Sequence, residues 1–324
     1  MKSKKLLPFC IALMMLSPLL LSVIVIEAQP SDKPIIVCTT SAIGNIVEEC
    51  LGENADVLVL VQPGLCPADF DMKPGYVDAV SKAQILFKQN IQGEFWLDGL
   101  LAVAGNPDLK VIAIPGVYNT PSGAKNYILG VGGNLSKILK IDLDSKISEM
   151  LNDVDEVSIL MANQATTIGA SNVKVICMGW LKPFIKSAGF TVVATFNPPE
   201  TLSAGDITSL LEVAEREGVA LVVDNLQIDT EFGAGIASQV GAEHLVLTNF
   251  PGAVPNTENL AKMLRYNAEQ LFNSTITWQY TSALRAERVD LQNQVTLLQI
   301  AALLAVVVAL AEAVLLYAKR KKKL

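Results

Sequence analysis

The stretch that decides the fold covers residues 35–74 and reads IIVCTTSAIGNIVEECLGENADVLVLVQPGLCPADFDMKP. An apolar run (Ile35–Cys38) leads through small hydroxyl residues into a helical segment (Ile43–Leu51). A second apolar run (Val57–Val61) then leads into a proline-punctuated loop. Short apolar runs that alternate with helical segments are typical of βα units, and they predict a parallel sheet.

The same alternation extends in both directions and returns later in the chain, which predicts two α/β lobes with Rossmann-like parallel sheets. We place the lobes at residues 31–133 and 167–273. Apolar residues recur every three to four positions between them, which predicts a long connecting spine helix over residues 134–166. Asp153–Asp155 is a possible interruption of that helix. The glycine-rich segment Asn119–Gly133 is predicted to be a loop.

The loops after the strand carboxyl ends are where a ligand is expected, because these ends line the crevice of a parallel sheet. Ser41 and the loop Cys66–Asp71 should therefore face one cleft. Two lobes with facing strand ends predict a receptor for a small ligand that closes when the ligand binds.

The two chain ends carry targeting signals. Residues 1–28 combine early lysines with a long apolar run, which is typical of a secretory signal peptide cleaved after Ala28. Ile26 is a poor residue three positions before that cut, so an uncleaved anchor is the alternative.

The C-terminal end predicts a membrane anchor. Residues 295–318 are long and apolar enough to form a transmembrane helix, and residues 319–324 form a basic tail. The basic tail places the C-terminus in the cytoplasm and the rest outside, in a single-pass topology at the cell membrane. A helical stalk over residues 274–294 leads into the membrane, with leucines seven apart that would allow weak self-association. Glu312 lies inside the span, and it either has a function, reaches the interface or pairs with the basic tail.

The segment between the two ends is acidic. It holds 17 of the 25 Lys and Arg residues and 30 of the 32 Asp and Glu residues, a net charge of −13. Such a body repels phosphate backbones, which argues against nucleic acid as a partner. The negative charge is compatible with a cationic ligand. The alternative is that the acidic surface only keeps a secreted protein soluble.

Several motifs resemble a known family, the zinc/manganese ABC-transporter solute-binding proteins (cluster A-I). They are Thr39–Ser41, Pro67-Ala68-Asp69-Phe70, Glu94-Phe95-Trp96-Leu97, the strand end at Asp224 and Asn267–Leu271. The resemblance covers about residues 33–272. It implies two Rossmann-like lobes on a helical spine, and it implies capture of a transition-metal ion for an ABC permease in the membrane.

The chain departs from that family at the metal ligands. The resemblance implies three His and one carboxylate, and the corresponding positions here hold Ala68, Tyr127, the pair Cys177-Met178 and the pair Thr248-Asn249. The one histidine, His244, begins a predicted strand away from the cleft and is expected to be structural.

Other donors remain near the predicted cleft. The candidate metal ligands are Cys66, Asp69, Cys177, Met178 and Asp224, and the other residues expected to line the cleft are Ser41, Asp71, Met72, Tyr127, Thr248 and Asn249. Thiolate and thioether donors suit a soft ion such as Cu(I), or zinc through cysteine. A metal chelate, a small organic molecule and a site of undetermined metal chemistry are the alternatives.

These features predict a membrane-anchored extracytoplasmic solute-binding protein of an ABC importer whose family-typical cargo is a transition-metal ion. No catalytic residues are expected, because a single misplaced histidine cannot complete a Ser-His-acid set and no phosphate-binding GxxxxGK motif occurs. No organic cofactor is expected either. The alternatives are a receptor for a chelate or small organic ligand, and a surface structural or adhesion protein that has lost its ligand.

Overall fold

Two four-stranded parallel sheets form the framework of the protein. The computed structural model describes residues 33–321, so the predicted signal peptide and the last residues of the basic tail lie outside the described residues. The first lobe contains β1 (Ile35–Cys38), α1 (Ser41–Leu51), β2 (Asp56–Val59), α2 (Pro74–Lys82), β3 (Ile85–Lys88), α3 (Leu97–Ala104) and β4 (Lys110–Ala113). Its strand order is β2-β1-β3-β4, with every pairing parallel.

The central strand β1 is apolar throughout because both of its faces are covered. Ile36 and Cys38 pack with α1 in the large core, whereas Val37 packs in a smaller cluster with α2 and α3. Burial of both faces is the usual arrangement of a parallel sheet, and it explains the unbroken apolar run in the sequence.

The second lobe repeats this plan. It contains β5 (Lys174–Met178), α6 (Lys182–Ser187), β6 (Thr191–Phe196), α7 (Ala204–Glu217), β7 (Leu221–Asn225), α8 (Glu231–Val240) and β8 (Glu243–Leu247). The strand order is β6-β5-β7-β8, again parallel. Helix α7 begins with a capping box, in which Ser203 Oγ accepts from the Asp206 backbone N–H at 3.2 Å and Asp206 Oδ2 accepts from the Ser203 N–H at 2.9 Å.

Two helices, rather than one, join the lobes: α4 (Pro121–Leu139) and α5 (Asp144–Ile168). The predicted two-lobe α/β fold with a long helical connection is confirmed. The loop predicted over residues 119–133 is wrong, since α4 occupies most of it. The break in the spine falls at Lys140, which has a left-handed φ of 56°, and not at residues 153–155, which lie inside α5.

The glycines of α4 explain that error. They provide close approach within a helix instead of turns. A Cβ at Gly132 would lie 2.7 Å from Ile147 of α5, and one at Gly123 would lie 1.9 Å from the Val117 carbonyl oxygen. The spine therefore depends on small residues at the points where α4 touches its neighbours.

The last helix, α9 (Leu260–Lys321), is continuous from the second lobe to the described end of the chain. Leu264, Ala268 and Leu271 are buried in the large core, and the Arg285 guanidinium still donates to the Gly241 carbonyl at 2.9 Å. Residues 286–319 are exposed. Within the part of the chain that the structure describes, α9 is the one helix whose length and composition would let it cross a membrane.

Two glycine substitutions in α4 should have opposite effects on stability. Gly123→Ala forces a Cβ into the Val117 carbonyl and should lower the free energy of unfolding by about 1–3 kcal/mol. Gly133→Ala has open space around its Cβ and should raise it by about 0.5–1 kcal/mol through helix propensity. Urea unfolding of the two variants measures both, and equal effects of the two substitutions would contradict this packing.

Candidate functional site

A cleft of about 720 Å³ lies between the strand carboxyl ends of the two lobes. Its lining comes from the loops after seven of the eight strands, β2 to β8, as expected for parallel sheets. The lining residues are Cys66, Pro67, Ala68, Asp69, Ile91, Gln92, Gly93, Phe95, Gly116, Val117, Tyr118, Asn119, Trp180, Pro183, Pro198, Glu200, Asn225, Gln227, Ile228, Asp229, Asn249 and Phe250.

The loop after β2 is held rigidly at the cleft wall. Pro67–Asp69 forms a short 3₁₀ turn, and Trp96 Nε1 donates to the Pro67 carbonyl at 2.8 Å. The Phe70 ring stacks on Trp96 with centroids 3.7 Å apart. A Cβ at Gly93 would meet Pro67 and Ala68 at 3.1–3.2 Å, so the loop after β3 presses directly on this turn.

A buried carboxylate, Glu94, organises the strand ends behind that wall. It accepts hydrogen bonds from the Thr39 hydroxyl and from the backbone N–H groups of Gln89 at 2.9 Å and Asn90 at 2.6 Å. Asn90 has a φ of 61°, a left-handed conformation that asparagine adopts more readily than most residues. One side chain thus ties the end of β1 to the loop after β3.

Hydrogen bonds cross between the lobes around the cleft. Ser41 Oγ donates to the Pro251 carbonyl at 2.8 Å, and Gln227 Nε2 donates to the Pro63 carbonyl at 2.9 Å. Asn119 Nδ2 donates to Asn249 Oδ1 at 2.8 Å. These hydrogen bonds connect the two lobes at the carboxyl ends of their strands.

Two of the five candidate metal ligands line the cleft, Cys66 and Asp69. The other three lie in the second lobe, outside the cleft lining. Cys177 and Met178 belong to the apolar core, and the Met178 sulfur accepts from the Trp180 N–H at 3.3 Å. Asp224 is buried beside α8 and contacts His244, with Oδ2 and Nε2 2.7 Å apart. The structure does not bring the five candidates together.

The six residues expected to line the cleft are also divided. Asn249 lines it, whereas Ser41 lies buried at the contact between the lobes. Tyr127 is in the core, where its hydroxyl donates to the Gly116 carbonyl at 3.1 Å. Thr248 is buried, and its Oγ1 accepts from Gln227 Nε2 at 2.9 Å. Asp71 and Met72 are exposed and outside the lining.

The thiols near the site are in the protonated state at neutral pH. Burial raises the pKa of the Cys66 thiol, a hydrogen bond with Ala68 opposes this, and the Asp69 and Glu200 carboxylates raise the pKa further. Burial also raises the pKa of Cys177 to about 12. Because the thiolate is the metal-binding and nucleophilic form, neither cysteine is prepared for those roles.

The donor set does not form a metal centre. Among residues 33–321, no group of three or more His, Cys, Asp or Glu side chains is arranged to hold a metal ion. A transition-metal site in a protein usually has three or four such ligands. The arrangement can instead surround a larger molecule with aromatic, amide and carboxylate groups.

Sequence reasoning missed several cleft residues. They are Phe95, Tyr118, Asn119, Trp180, Glu200, Asn225, Gln227 and Phe250. Their position in the sequence is a usable signal, because most of them lie within a few residues of the end of a predicted strand, as the predicted candidates do. The sequence does not show which residue of each loop points into the cleft.

The charge around Cys66 makes a prediction for thiol chemistry. The two carboxylates raise the pKa of Cys66, so the double variant Asp69→Asn, Glu200→Gln should lower it, increase the thiolate fraction and speed alkylation by iodoacetamide at neutral pH. Mass spectrometry of the native protein measures the rate at Cys66. Buried Cys38 should stay unlabelled as an internal control, and an unchanged rate at Cys66 would contradict the electrostatic account.

The fold is similar to several solved structures. The periplasmic zinc-binding protein TroA from Treponema pallidum has a TM-score of 0.65 at 15% identity, covering 75% of this chain and 99% of that chain. FpvC from Pseudomonas aeruginosa, solved with Ni²⁺, has a TM-score of 0.65 at 10% identity (76% and 97% covered). The laminin-binding adhesin Lmb from Streptococcus agalactiae, a mutant structure, has a TM-score of 0.64 at 14% identity (75% and 99% covered). At these identities the similarity concerns the fold.

A comparison with curated proteins found no match. The family model described as zinc-uptake complex component A, periplasmic (ZnuA), matches residues 36–274, which is more than half of the chain. That range contains both lobes, the spine and the first part of α9. The chain therefore belongs to the periplasmic zinc-uptake complex component A family.

Proposed function

We propose that the protein is a membrane-tethered solute-binding protein that captures a small solute outside the cell and delivers it to an ABC permease. The observation that carries the proposal is the cleft, which is formed by the strand carboxyl ends of both lobes. A site shared between two lobes can close on its ligand by a small relative movement. The spine and α9 share one apolar core with both lobes, which supports a small movement.

Binding, rather than catalysis, suits the residues of the cleft. The nucleophile available there is Cys66, whose pKa is raised, and His244 lies outside the lining, beside Asp224. A nucleophile needs an adjacent base within hydrogen-bonding reach to be activated. Among residues 33–321, no such base forms a hydrogen bond with the Cys66 thiol.

The cargo is the finer part of the proposal. The family name implies a transition-metal ion, but residues 33–321 contain no group of three or more His, Cys, Asp or Glu side chains placed to hold such an ion. Its volume falls in the range of about 300–1,000 Å³ that is typical of small-molecule sites. The geometry therefore favours a small organic molecule or a metal chelate over a bare ion.

The membrane tether is the apolar half of α9. Its exposed residues follow the last contact with the second lobe without a break in the helix, and basic residues follow them. The positive-inside rule then places the two lobes outside the cell. The tether keeps the receptor next to the permease that it serves.

Solute binding in the cleft can be tested with the protein's own ligand. The protein is purified from its native membranes, its bound solutes are extracted, and the extract is returned to refolded, ligand-free protein. The melting temperature should rise, because a ligand that binds the folded state stabilises it by about 2.7 kcal/mol at a hundred times its Kd. Ala68→Trp places an indole at the cleft wall, where it narrows the ligand site, and should abolish the rise, whereas Ala68→Ser should keep it. An equal rise in Ala68→Trp would count against binding in the cleft, and no rise in any form would favour a surface adhesin without a ligand.

The tether makes a separate prediction. A chain that ends at Gln294 keeps every buried residue of α9 and loses the apolar half. It should be secreted as a soluble protein with an unchanged melting temperature, whereas the full chain stays in the membrane after washing with alkaline carbonate. Release of the full chain by that wash would contradict the anchor.

A further inference from the structure

The cleft has only one sign of charge. Three carboxylates line it, Asp69 from the first lobe and Glu200 and Asp229 from the second, and all three are exposed. None of the described residues that line it is Lys, Arg or His. Clefts lined by one sign of charge concentrate ligands of the opposite sign. An anionic solute would meet repulsion here from both lobes.

The cleft also presents aromatic faces to solvent. Phe95, from the first lobe, is 73% exposed, and Trp180, from the second, is 44% exposed. Exposed large apolar side chains in a cleft indicate a binding surface. An aromatic face attracts a cation through the ring quadrupole, and Trp does so most strongly. Carboxylates together with aromatic faces are the combination that recognises organic cations.

A buried amide in the cleft lacks a partner. Asn225 is fully buried, and its Oδ1 accepts from the Gln227 backbone N–H at 2.9 Å, which fixes the orientation of the amide. Its Nδ2 has no hydrogen-bond acceptor among residues 33–321, although the residue lines the cleft. Nδ2 itself lies just below the cleft surface, because the side chain is fully buried. Because an unsatisfied buried donor is costly, a ligand that displaces the lining at this point and supplies an accepting oxygen removes that cost.

Resting on the receptor function proposed above, we infer that the solute is a small organic cation that carries an uncharged oxygen acceptor. Its charged nitrogen lies against the aromatic faces of Trp180 and Phe95, within the field of the three carboxylates. A different part of the molecule accepts a hydrogen bond from Asn225 Nδ2. This class of ligand uses the negative charge, the aromatic surface and the unpaired donor together.

Acylcholines are suitable probes, since they combine a quaternary ammonium group with an ester oxygen. Their matched controls are the neutral isosteres in which a tert-butyl group replaces the trimethylammonium group. The full chain, in a detergent with an uncharged headgroup, is titrated with acetyl to hexanoyl esters of both series by calorimetry. The cations should bind at least about tenfold more tightly than their isosteres. Binding of the cations that is equal to or weaker than that of their isosteres overturns the inference. It is also overturned if neither series binds and the native protein yields no cationic solute.

Variants show whether the charge is recognised in the cleft. Trp180→Leu should weaken acylcholine binding about tenfold and change isostere binding by less than about twofold, whereas Trp180→Phe keeps a ring and should lie between. The double variant Glu200→Gln, Asp229→Asn should weaken only the cations and reduce the salt dependence of their binding. Melting curves confirm that each variant folds. Equal losses for cations and isosteres would contradict recognition of the charge.

The solutes extracted from the native protein separate this inference from the receptor function. A cationic organic solute that is missing from Ala68→Trp supports both. A neutral or anionic solute, or a bare metal ion, that is missing from Ala68→Trp overturns the inference and leaves the receptor function in place. If no solute is extracted, and if Ala68→Trp does not abolish the binding of any probe, both the receptor function and the inference are wrong.

Discussion

The continuous apolar core is the constraint on which the rest of the structure depends. One cluster of buried side chains runs from the first lobe, through Val131 of α4 and Val154 of α5, into the second lobe and the buried part of α9. Interiors of this kind are closely packed and resist deformation. The core therefore holds the two sets of strand ends opposite each other and limits their relative movement, and the hydrogen bonds of Ser41, Asn119 and Gln227 lie across the gap between them. The cleft is a consequence of how the spine packs.

The parallel sheets could be predicted from the sequence because burial of both faces leaves a signal that is strictly local. Ile35–Cys38 and Leu221–Val223 are unbroken apolar runs followed by small or polar residues, and no other element gives that pattern so clearly. The helix α4 could not be predicted in the same way. Gly123 and Gly132 allow α4 to make close contacts with residues outside the helix, Val117 and Ile147. A sequence alone does not distinguish a glycine that forms a turn from one that allows a close contact.

The candidate site was less accessible to sequence reasoning for a related reason. A strand end can be found from its pattern, but neighbouring residues at that end point to opposite sides of the sheet. Asp224 and Asn225 are adjacent, yet Asp224 is buried against α8 and Asn225 lines the cleft. The predicted ligands Cys177 and Met178 lie in the core in the same way, and Trp180 is the first residue after β5 that lines the cleft. The prediction selected acidic and sulfur-containing residues as metal ligands, whereas residues one or two positions further along the chain line the cleft.

The residue at position 68 connects the family fold to the proposed change of ligand. The resemblance places a metal-binding His there, and this chain has Ala on a turn held by Trp96 and Gly93. A methyl group in place of an imidazole removes a donor and opens space at the same point of the wall. A bare ion needs several donors at bond distance, whereas an organic cation needs surface and a diffuse field. The same rigid loop thus suits the second kind of ligand once its donor is gone, which is the kind of ligand that we propose for the carboxylates and the aromatic rings of this cleft.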